Sequence, residues 1–434
     1  MITAKKTAAF YTLGCKLNYS ETSLLGKAFS ENGFDIIEFD KTADVYVINS
    51  CTVTVNAEKE CRQVVRRALK ANPGAYIIVT GCYAQLSPDE IVKIPGVDAV
   101  LGSNEKFRLF SLIESFEKRE HSCIFVSPAD EMKKEFHFAY SSESDSRTRA
   151  FLKIQDGCDY KCSFCTIPLA RGGSRSIEPA KAVENLQILL LAGFKEIILT
   201  GVNVGEYLYE SEDFYSLLLK LIAVEGDFRL RISSIEPNLL TDEILQLAKT
   251  SNKICKHFHI PLQSGSAKIL KLMQRRYTAE FYKKLINKIK LEIPEAGIGV
   301  DVIAGFPGES EEDFVTTYEF LQAIDVSYLH VFTYSERPNT KAFILPDKVD
   351  IFDRKERNRI LRVLSEKKRA EFYKSQVGAV VEPLYEKENS DGIMKGFTSN
   401  YIRVHSNYDS LRVNSMHKVK ITESCLTHCC TDVI

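Results

Sequence analysis

Cys158, Cys162 and Cys165 stand in the stretch "KIQDGCDYKCSFCTIPLARGGSRS", a C-x3-C-x2-C spacing between an apolar run and an Arg/Gly segment. Thiolate is a soft ligand, and three of them this close can grip a compact core of iron and sulfide. A four-iron cube held by three thiolates keeps one iron free of protein donors, so a small molecule can bind that iron directly. Two plainer readings compete. Zinc needs a fourth donor, normally Cys or His, and none lies beside the motif; the nearest histidines are His137 and His257. Chance spacing of packing cysteines is the other.

A second trio emerges from position more than spacing. Cys15, Cys51 and Cys82 are far apart in the chain, but each follows a β-branched or aromatic run, in the contexts "LGC", "NSC" and "TGC". If these runs are parallel strands, their carboxyl ends share one edge of the sheet, where ligands collect. One buried cysteine would mean nothing; three at the same topological position suggest a second three-thiolate site. Cys61, Cys123 and Cys255 fall inside helical or strand patterns and read as packing residues. The terminal "CLTHCC" offers Cys425, His428, Cys429 and Cys430 to a metal, but it occupies the last ten residues, where order is usually poor, and a solvent-exposed tail is expected.

The elements that must position these residues fall into three α/β or β blocks. Residues 1–138 alternate short strands ("AAFYTLGC", "DVYVINSC", "AYIIVTGC") with amphipathic helices, the pattern of an open parallel α/β sheet. Residues 139–150, "AYSSESDSRTRA", read as a linker. Residues 151–374 repeat a β/α unit six times, as in a partial (β/α)6 barrel whose chemistry lies where its strands end. From 375 to 434, short alternating strands suggest a small antiparallel β-barrel followed by the Cys-rich tail.

With 434 residues and a net charge of −1, the chain has room for several domains and no global basic field, so a nucleic-acid partner would rest on local patches. Twelve cysteines in a chain this long do not make a secreted disulfide framework. "MITAKKTAAFYTLGC" mimics a leader ending at a cysteine, but its apolar stretch is marginal and interrupted, so export is not expected. No apolar run is long enough to cross a bilayer. A reduced, cytoplasmic protein without membrane contact is expected.

Taken together, "TLGCKLN", "INSCTVT", "VTGCYAQ", "GCDYKCSFCTIP", "HFHIPLQSGS" and "DVIAGFPGE" resemble the methylthiotransferase family of radical S-adenosylmethionine (SAM) enzymes over nearly the whole chain. The resemblance implies an N-terminal methylthiotransferase domain, a radical-SAM partial barrel and a C-terminal TRAM domain. It implies two [4Fe–4S] clusters, one on Cys15, Cys51 and Cys82 and one on Cys158, Cys162 and Cys165, with SAM on the open iron of the second. "GCKLN", "CTVT" and "ARGGSRS" are most similar to the subgroup that methylthiolates N6-threonylcarbamoyladenosine (t6A) at position 37 of tRNA. A radical from SAM would then take hydrogen from C2 of the adenine. Sulfur from the first cluster, methylated by a second SAM, would replace it.

Around this chemistry the sequence offers further candidates, each with a plainer role beside it. Phe164 can approach the SAM adenine or pack the loop. Gly201 and Asn203 in "LTGVNVG" can meet the SAM amino group. Ser234 and Glu236 in "RISSIEP" can bind ribose hydroxyls or the amino group, or cap a helix. Gln263 is a polar contact, and His257 and His259 alternate on a strand and can equally be satisfied core residues. For RNA, Arg62, Arg66 and Lys70 share a helical face, and Phe397, Tyr401 and Arg403 can stack on unpaired anticodon-loop bases or belong to a core. An electron-donor protein is the remaining expected partner. Rival readings keep the clusters but change the substrate to another tRNA adenosine or a ribosomal-protein aspartate, or make the chain a non-catalytic RNA-binding metalloprotein.

Overall fold

Six parallel strands form the N-terminal sheet: β1 (Thr7–Thr12), β2 (Asp35–Ile37), β3 (Val45–Ser50), β4 (Tyr76–Gly81), β5 (Ala99–Leu101) and β6 (Cys123–Phe125), in the spatial order β2-β1-β3-β4-β5-β6. The computed structural model describes residues 5–52, 54–128 and 148–434. Every residue of β3 and β4 is buried, because both faces of a parallel sheet are covered by helices. Tyr46 and Ile48 pack on one face with Val64 and Val65 of helix α2 (Val55–Ala71). Val45 and Val47 pack on the other with Leu25 and Phe29 of helix α1 (Lys16–Glu31). Within the stretch that mimics a leader, Thr7–Thr12 form β1, paired on both sides. No helix is long and apolar enough to cross a membrane.

The second block is a six-stranded partial barrel, β7 (Arg149–Lys153), β8 (Glu196–Thr200), β9 (Arg229–Ile232), β10 (His257–His259), β11 (Gly297–Ala304) and β12 (Tyr328–Thr333). Two parallel three-stranded sheets, β9-β8-β7 and β10-β11-β12, are joined by bridges at Leu230–Ile254 and Ser234–His259. The expected linker lies largely outside the described residues, and its last two residues, Arg149 and Ala150, already belong to β7. Helix α5 (Ile351–Ser375) closes the block, packing on β11 and β12.

The C-terminal sheet departs from expectation in two ways. Its strands β13 (Val380–Val381), β14 (Leu384–Ser390), β15 (Ile393–Phe397), β16 (Arg403–Asn407), β17 (Val419–Ser424) and β18 (Cys429–Val433) run in the order β13-β17-β18-β16-β15-β14. It is not wholly antiparallel, because β16 and β18 pair in parallel. The expected solvent-exposed tail is instead β18, an inner strand with neighbours on both sides. Its backbone groups are satisfied by two ladders, and Cys429 is fully buried among Tyr385, Ile402, Val404 and Ile421.

This sheet is fastened to the amino-terminal end of the barrel strands by arginines. Glu196 at the start of β8 receives Arg229 (2.7 Å) and Arg231 (2.8 Å). The same guanidiniums donate onward to the carbonyls of Glu382, Phe397, Thr398 and Ser399. Although burial alone would raise the Glu196 carboxyl, the two arginines hold it well below the usual range. Phe397 and Tyr401 stack on each other with centroids 4.9 Å apart. Arg149 lies over Phe397, and Arg231 and His257 lie against Tyr401. These rings form the floor of the barrel, so Tyr401 is withdrawn from the expected RNA face. Arg403 remains exposed.

Candidate active site

Cys15 is the N-cap of α1, Cys51 follows β3, and Cys82 opens helix α3 (Cys82–Leu86) directly after β4. The strand order places the first two at the point where the chain reverses direction across the sheet, between β1 and β3, the crevice in which open α/β sheets bind ligands. Two glycines permit the approach. Gly14 has φ +93°, and a Cβ there would lie 2.7 Å from the Cys51 side chain; Gly81 has φ +95°, and a Cβ there would lie 2.3 Å from the Ser50 carbonyl. "LGC" and "TGC" therefore encode tight turns as well as ligands.

The second trio occupies the loop after β7, whose sulfurs receive hydrogen bonds of their own. The Tyr160 N–H donates to Cys158 Sγ (3.4 Å), the Ile167 N–H to Cys165 Sγ (3.5 Å), and Arg275 Nη1 to Cys162 Sγ (3.1 Å). Arg275 is in turn fixed by a short ion pair with Glu236. Burial pushes the Cys165 thiol up to about 12. A metal that displaces the protons would resolve that cost; the hydrogen bonds aimed at all three sulfurs, not the burial, set this trio apart from packing cysteines such as Cys61, whose thiol burial also pushes up to about 12.

Helix α4 (Ile167–Arg171), two residues beyond Cys165, packs against α3, which begins at Cys82. A cavity of about 210 Å³ opens beside Cys165 of the second trio and reaches Thr54, three residues beyond Cys51. Thr54 from the Cys51 loop lines it, with Phe164 and Cys165 from the second loop and Gln263, Asp301 and Arg337 from the barrel. Arg337 ties the two domains at this rim, donating to the Thr52 carbonyl (3.1 Å) and pairing with Glu58.

Beneath α3 and α4 lies a buried ionic network that the sequence did not announce. Glu21 accepts from Lys106 (2.6 Å), Lys153 (3.0 Å) and Arg171 (2.9 Å). Asp156 accepts from Lys153, Arg171 and Arg175. Four cations thus face two carboxylates, and Arg171 and Lys106 both act on Cys82. This excess positive charge suits an anionic thiolate-ligated cluster. The "ARGGSRS" segment is therefore structural glue between domains.

The other expected contacts are placed unevenly. Phe164 sits edge-on to Phe306 (6.3 Å) in the cavity wall, between core and ligand space. Gln263 lines the same cavity with φ +71°, a strained conformation for a non-glycine residue that often marks a working position. The backbone N–H groups of Val202 and Asn203 are taken by Gln155 Oε1, and Asn203 Oδ1 accepts from the Glu236 N–H. Asn203 Nδ2 is buried without a partner, leaving its amide donor, rather than the Gly201 loop backbone, for a ligand. Glu236 precedes a 3-10 turn without capping it, its carboxylate spent on Arg275. Ser234 contributes a backbone bridge to His259 and accepts from the Val204 N–H through its carbonyl.

His257 Nε2 contacts the Tyr328 hydroxyl at 2.8 Å, and burial, followed by Arg231, holds its pKa well below the usual range. His259 Nε2 contacts Asp301 Oδ1 at 2.7 Å, with His330 beside them. Lys16, the first residue of α1, is exposed to solvent, yet the protein crowded around its ammonium lowers its pKa, and it lies within electrostatic reach of Tyr401, Arg231, His257 and His330. Arg62, Arg66 and Lys70 are exposed on α2, Arg62 also donating to the Tyr83 hydroxyl. Lys16, Arg275 and the Glu21 network were missed by sequence reasoning. Lys16 and Arg171 stood inside quoted motifs, but nothing in the string says where a side chain ends.

The radical SAM superfamily profile matches residues 152–321, and the profile of an uncharacterized protein family, UPF0004, matches residues 7–102. The chain is 42% identical to the threonylcarbamoyladenosine tRNA methylthiotransferase MtaB of Bacillus subtilis, over 96% of this chain and 94% of that protein. It is 42% identical to the Aquifex aeolicus protein of the same name, over 91% and 95%. It is 34% identical to a tRNA-2-methylthio-N(6)-dimethylallyladenosine synthase of Fusobacterium nucleatum, over 91% and 92%. Among solved structures, the radical SAM methyltransferase TsrM of Kitasatospora setae, with tryptophan and a SAM analogue bound, shares the fold at TM-score 0.60 and 15% identity, over 78% of this chain and 75% of that one. Two cysteine trios at strand ends, a radical SAM barrel and this identity across nearly the full length lead to one conclusion: the chain belongs to the radical SAM methylthiotransferases, in their threonylcarbamoyladenosine tRNA (MtaB) branch, and is a transferase whose cofactors are SAM and [4Fe–4S] clusters.

Proposed function

We propose that this protein converts t6A at position 37 of tRNA into its 2-methylthio derivative, replacing the C2–H bond of the adenine by C2–SCH3. The observation that carries this reading is the single cavity between Thr54, beside the first cysteine trio, and Cys165 of the second. A hydrogen-abstracting centre and a sulfur source must both reach one carbon, and the cavity that Cys165 lines extends to the loop that follows Cys51.

In this reading Cys158, Cys162 and Cys165 hold the SAM-binding cluster, and Cys15, Cys51 and Cys82 hold the auxiliary one. Bound together, the first cluster and SAM supply a radical able to open an unactivated C–H bond, and the auxiliary cluster supplies sulfur. The chain's own residues position and enclose. Arg275, braced by Glu236, donates to the Cys162 sulfur. Phe164 and Ile303 wall the cavity against water, and Gln263 and Asn203 Nδ2 offer amide contacts to SAM. t6A differs from other position-37 adenosines by a threonyl carboxylate. Lys16 is the cation offered to it beside the barrel, with no ion pair of its own among the described residues, and a carboxylate–ammonium contact favours a charged substituent. A hydrocarbon substituent would leave that charge unanswered.

Arg62, Arg66 and Lys70, with Arg403, are the phosphate-facing candidates. An anticodon loop suits the site because its bases are already unpaired and leave their stack at low cost. A soluble electron donor and a cytoplasmic location complete the reading. Nucleosides from deleted and complemented cells test it: 2-methylthio-t6A should vanish and return. Unchanged t6A with altered dimethylallyladenosine, or unchanged tRNA, would sink it.

A further inference from the structure

The hairpin that ends the chain gathers a separate set of soft ligands. Strands β17 and β18 are joined by the loop Cys425–His428, closed by the Cys425 N–H donating to the His428 carbonyl at 2.8 Å. Cys425 Sγ, a ring nitrogen of His428 and Cys430 Sγ all lie within 4.8 Å of one another. On the other side of β18, His405 of β16 is the register partner of Cys430. The His405 ring stacks on His428 with centroids 3.8 Å apart, and its Nε2 is buried without a hydrogen-bond partner.

Strand geometry explains why these groups meet. Val404 and Cys429 point into the core of the C-terminal sheet, so His405 and Cys430, one residue further along each strand, point to the opposite face. The cluster is thus remote from the barrel cavity and from the two cysteine trios. Zn–S bonds of about 2.3 Å and Zn–N bonds of about 2.0 Å put tetrahedral ligand atoms roughly 3.5–3.8 Å apart. The observed donors need contract by no more than about 1.3 Å to reach that geometry. Two thiolates and an imidazole are a set that zinc accepts and that magnesium or calcium does not. Of these groups only His405 Nε2 is buried without a partner, and such a group calls for a water or an ion beside it.

We propose that Cys425, His428 and Cys430 bind a zinc ion whose fourth ligand is a water hydrogen-bonded to His405, which is stacked on His428 and so unable to share the ion in its own ring plane. The ion staples the last strand into the C-terminal sheet and holds β16, which carries the exposed Arg403, in place. A site of this kind joins strands that are close in space but related by only a four-residue loop and one parallel pairing, and the metal contributes folding energy there.

The test uses the full-length protein, prepared without oxygen and dialysed against a weak chelator. Metal analysis should find about one zinc per chain beside the iron, and X-ray absorption at the zinc edge should show mixed sulfur and nitrogen ligation. C425S/C430S should lose the zinc while keeping wild-type iron, which separates this site from zinc misplaced in a cysteine trio. H405A should hold zinc at least tenfold more weakly, and hydrogen exchange over residues 419–434 should quicken in both variants. Absence of zinc from the wild type, equal zinc in C425S/C430S, iron bound by these residues, or a Cys425–Cys430 disulfide in the oxygen-free protein would each overturn the proposal.

Discussion

At the scale of the residue, the two trios divide one reaction into separable halves. Cys162→Ala should abolish SAM cleavage, read as 5′-deoxyadenosine after reduction, because it removes a ligand of the SAM-binding cluster and the acceptor of Arg275. Cys51→Ala should leave measurable cleavage and stop sulfur insertion; equal methylthiolation by this variant and the wild type would contradict the assigned sulfur source. Lys16→Gln keeps a polar side chain but deletes the charge beside the barrel. Loss of a hydrogen bond to a charged group costs about 1.5–3 kcal/mol, so KM for t6A-containing tRNA should rise roughly 10- to 100-fold. An unchanged KM would remove Lys16 from recognition.

At the scale of the element, the auxiliary site depends on how sharply β4 turns into α3. Gly81 at φ +95° faces the Ser50 carbonyl at a distance no Cβ tolerates, and that carbonyl belongs to the strand that delivers Cys51. Gly81→Ala should therefore destabilise by at least about 2 kcal/mol, combining left-handed strain with a backbone clash. Thermal unfolding should show the drop, with iron lost from the auxiliary site. A variant with wild-type iron content and melting temperature would show that the turn relaxes without consequence.

At the scale of the whole molecule, the cavity exists because two domains are clamped by charge. Glu21 of the first domain joins Lys153 and Arg171 of the second, all nearly inaccessible to solvent. Burial by itself would raise its carboxyl, but Arg171, Lys106 and Lys153 outweigh burial and hold it far below the usual range. Breaking one partner of such a network costs about 3–5 kcal/mol, so Glu21→Gln should lower the unfolding free energy by that order at neutral pH. A carboxyl depressed on folding contributes stability that is complete above its unfolded value of about 4.3 and fades as pH falls through the folded value. The gap between wild type and Glu21→Gln should be constant near neutrality and shrink only under acid, below about pH 4. A gap that opened between pH 6 and 8 would point to a histidine instead.

The cysteine spacings, the strand-like runs before Cys15, Cys51 and Cys82, and the six β/α repeats were legible in the string, because thiol chemistry and short-range periodicity are local properties. Residues near in sequence, such as Cys158, Cys162 and Cys165, declare a site by themselves. The docking of Tyr401 under the barrel, the placing of Lys16 beside it, the binding of Arg171 by Glu21 and the seating of the terminal "CLTHCC" between two strands were decided only in three dimensions. Whether a polar side chain meets solvent, a ligand or an opposite charge depends on what the rest of the chain brings to it, and for these three residues and this segment the partner comes from another domain or a strand whose place the string does not fix.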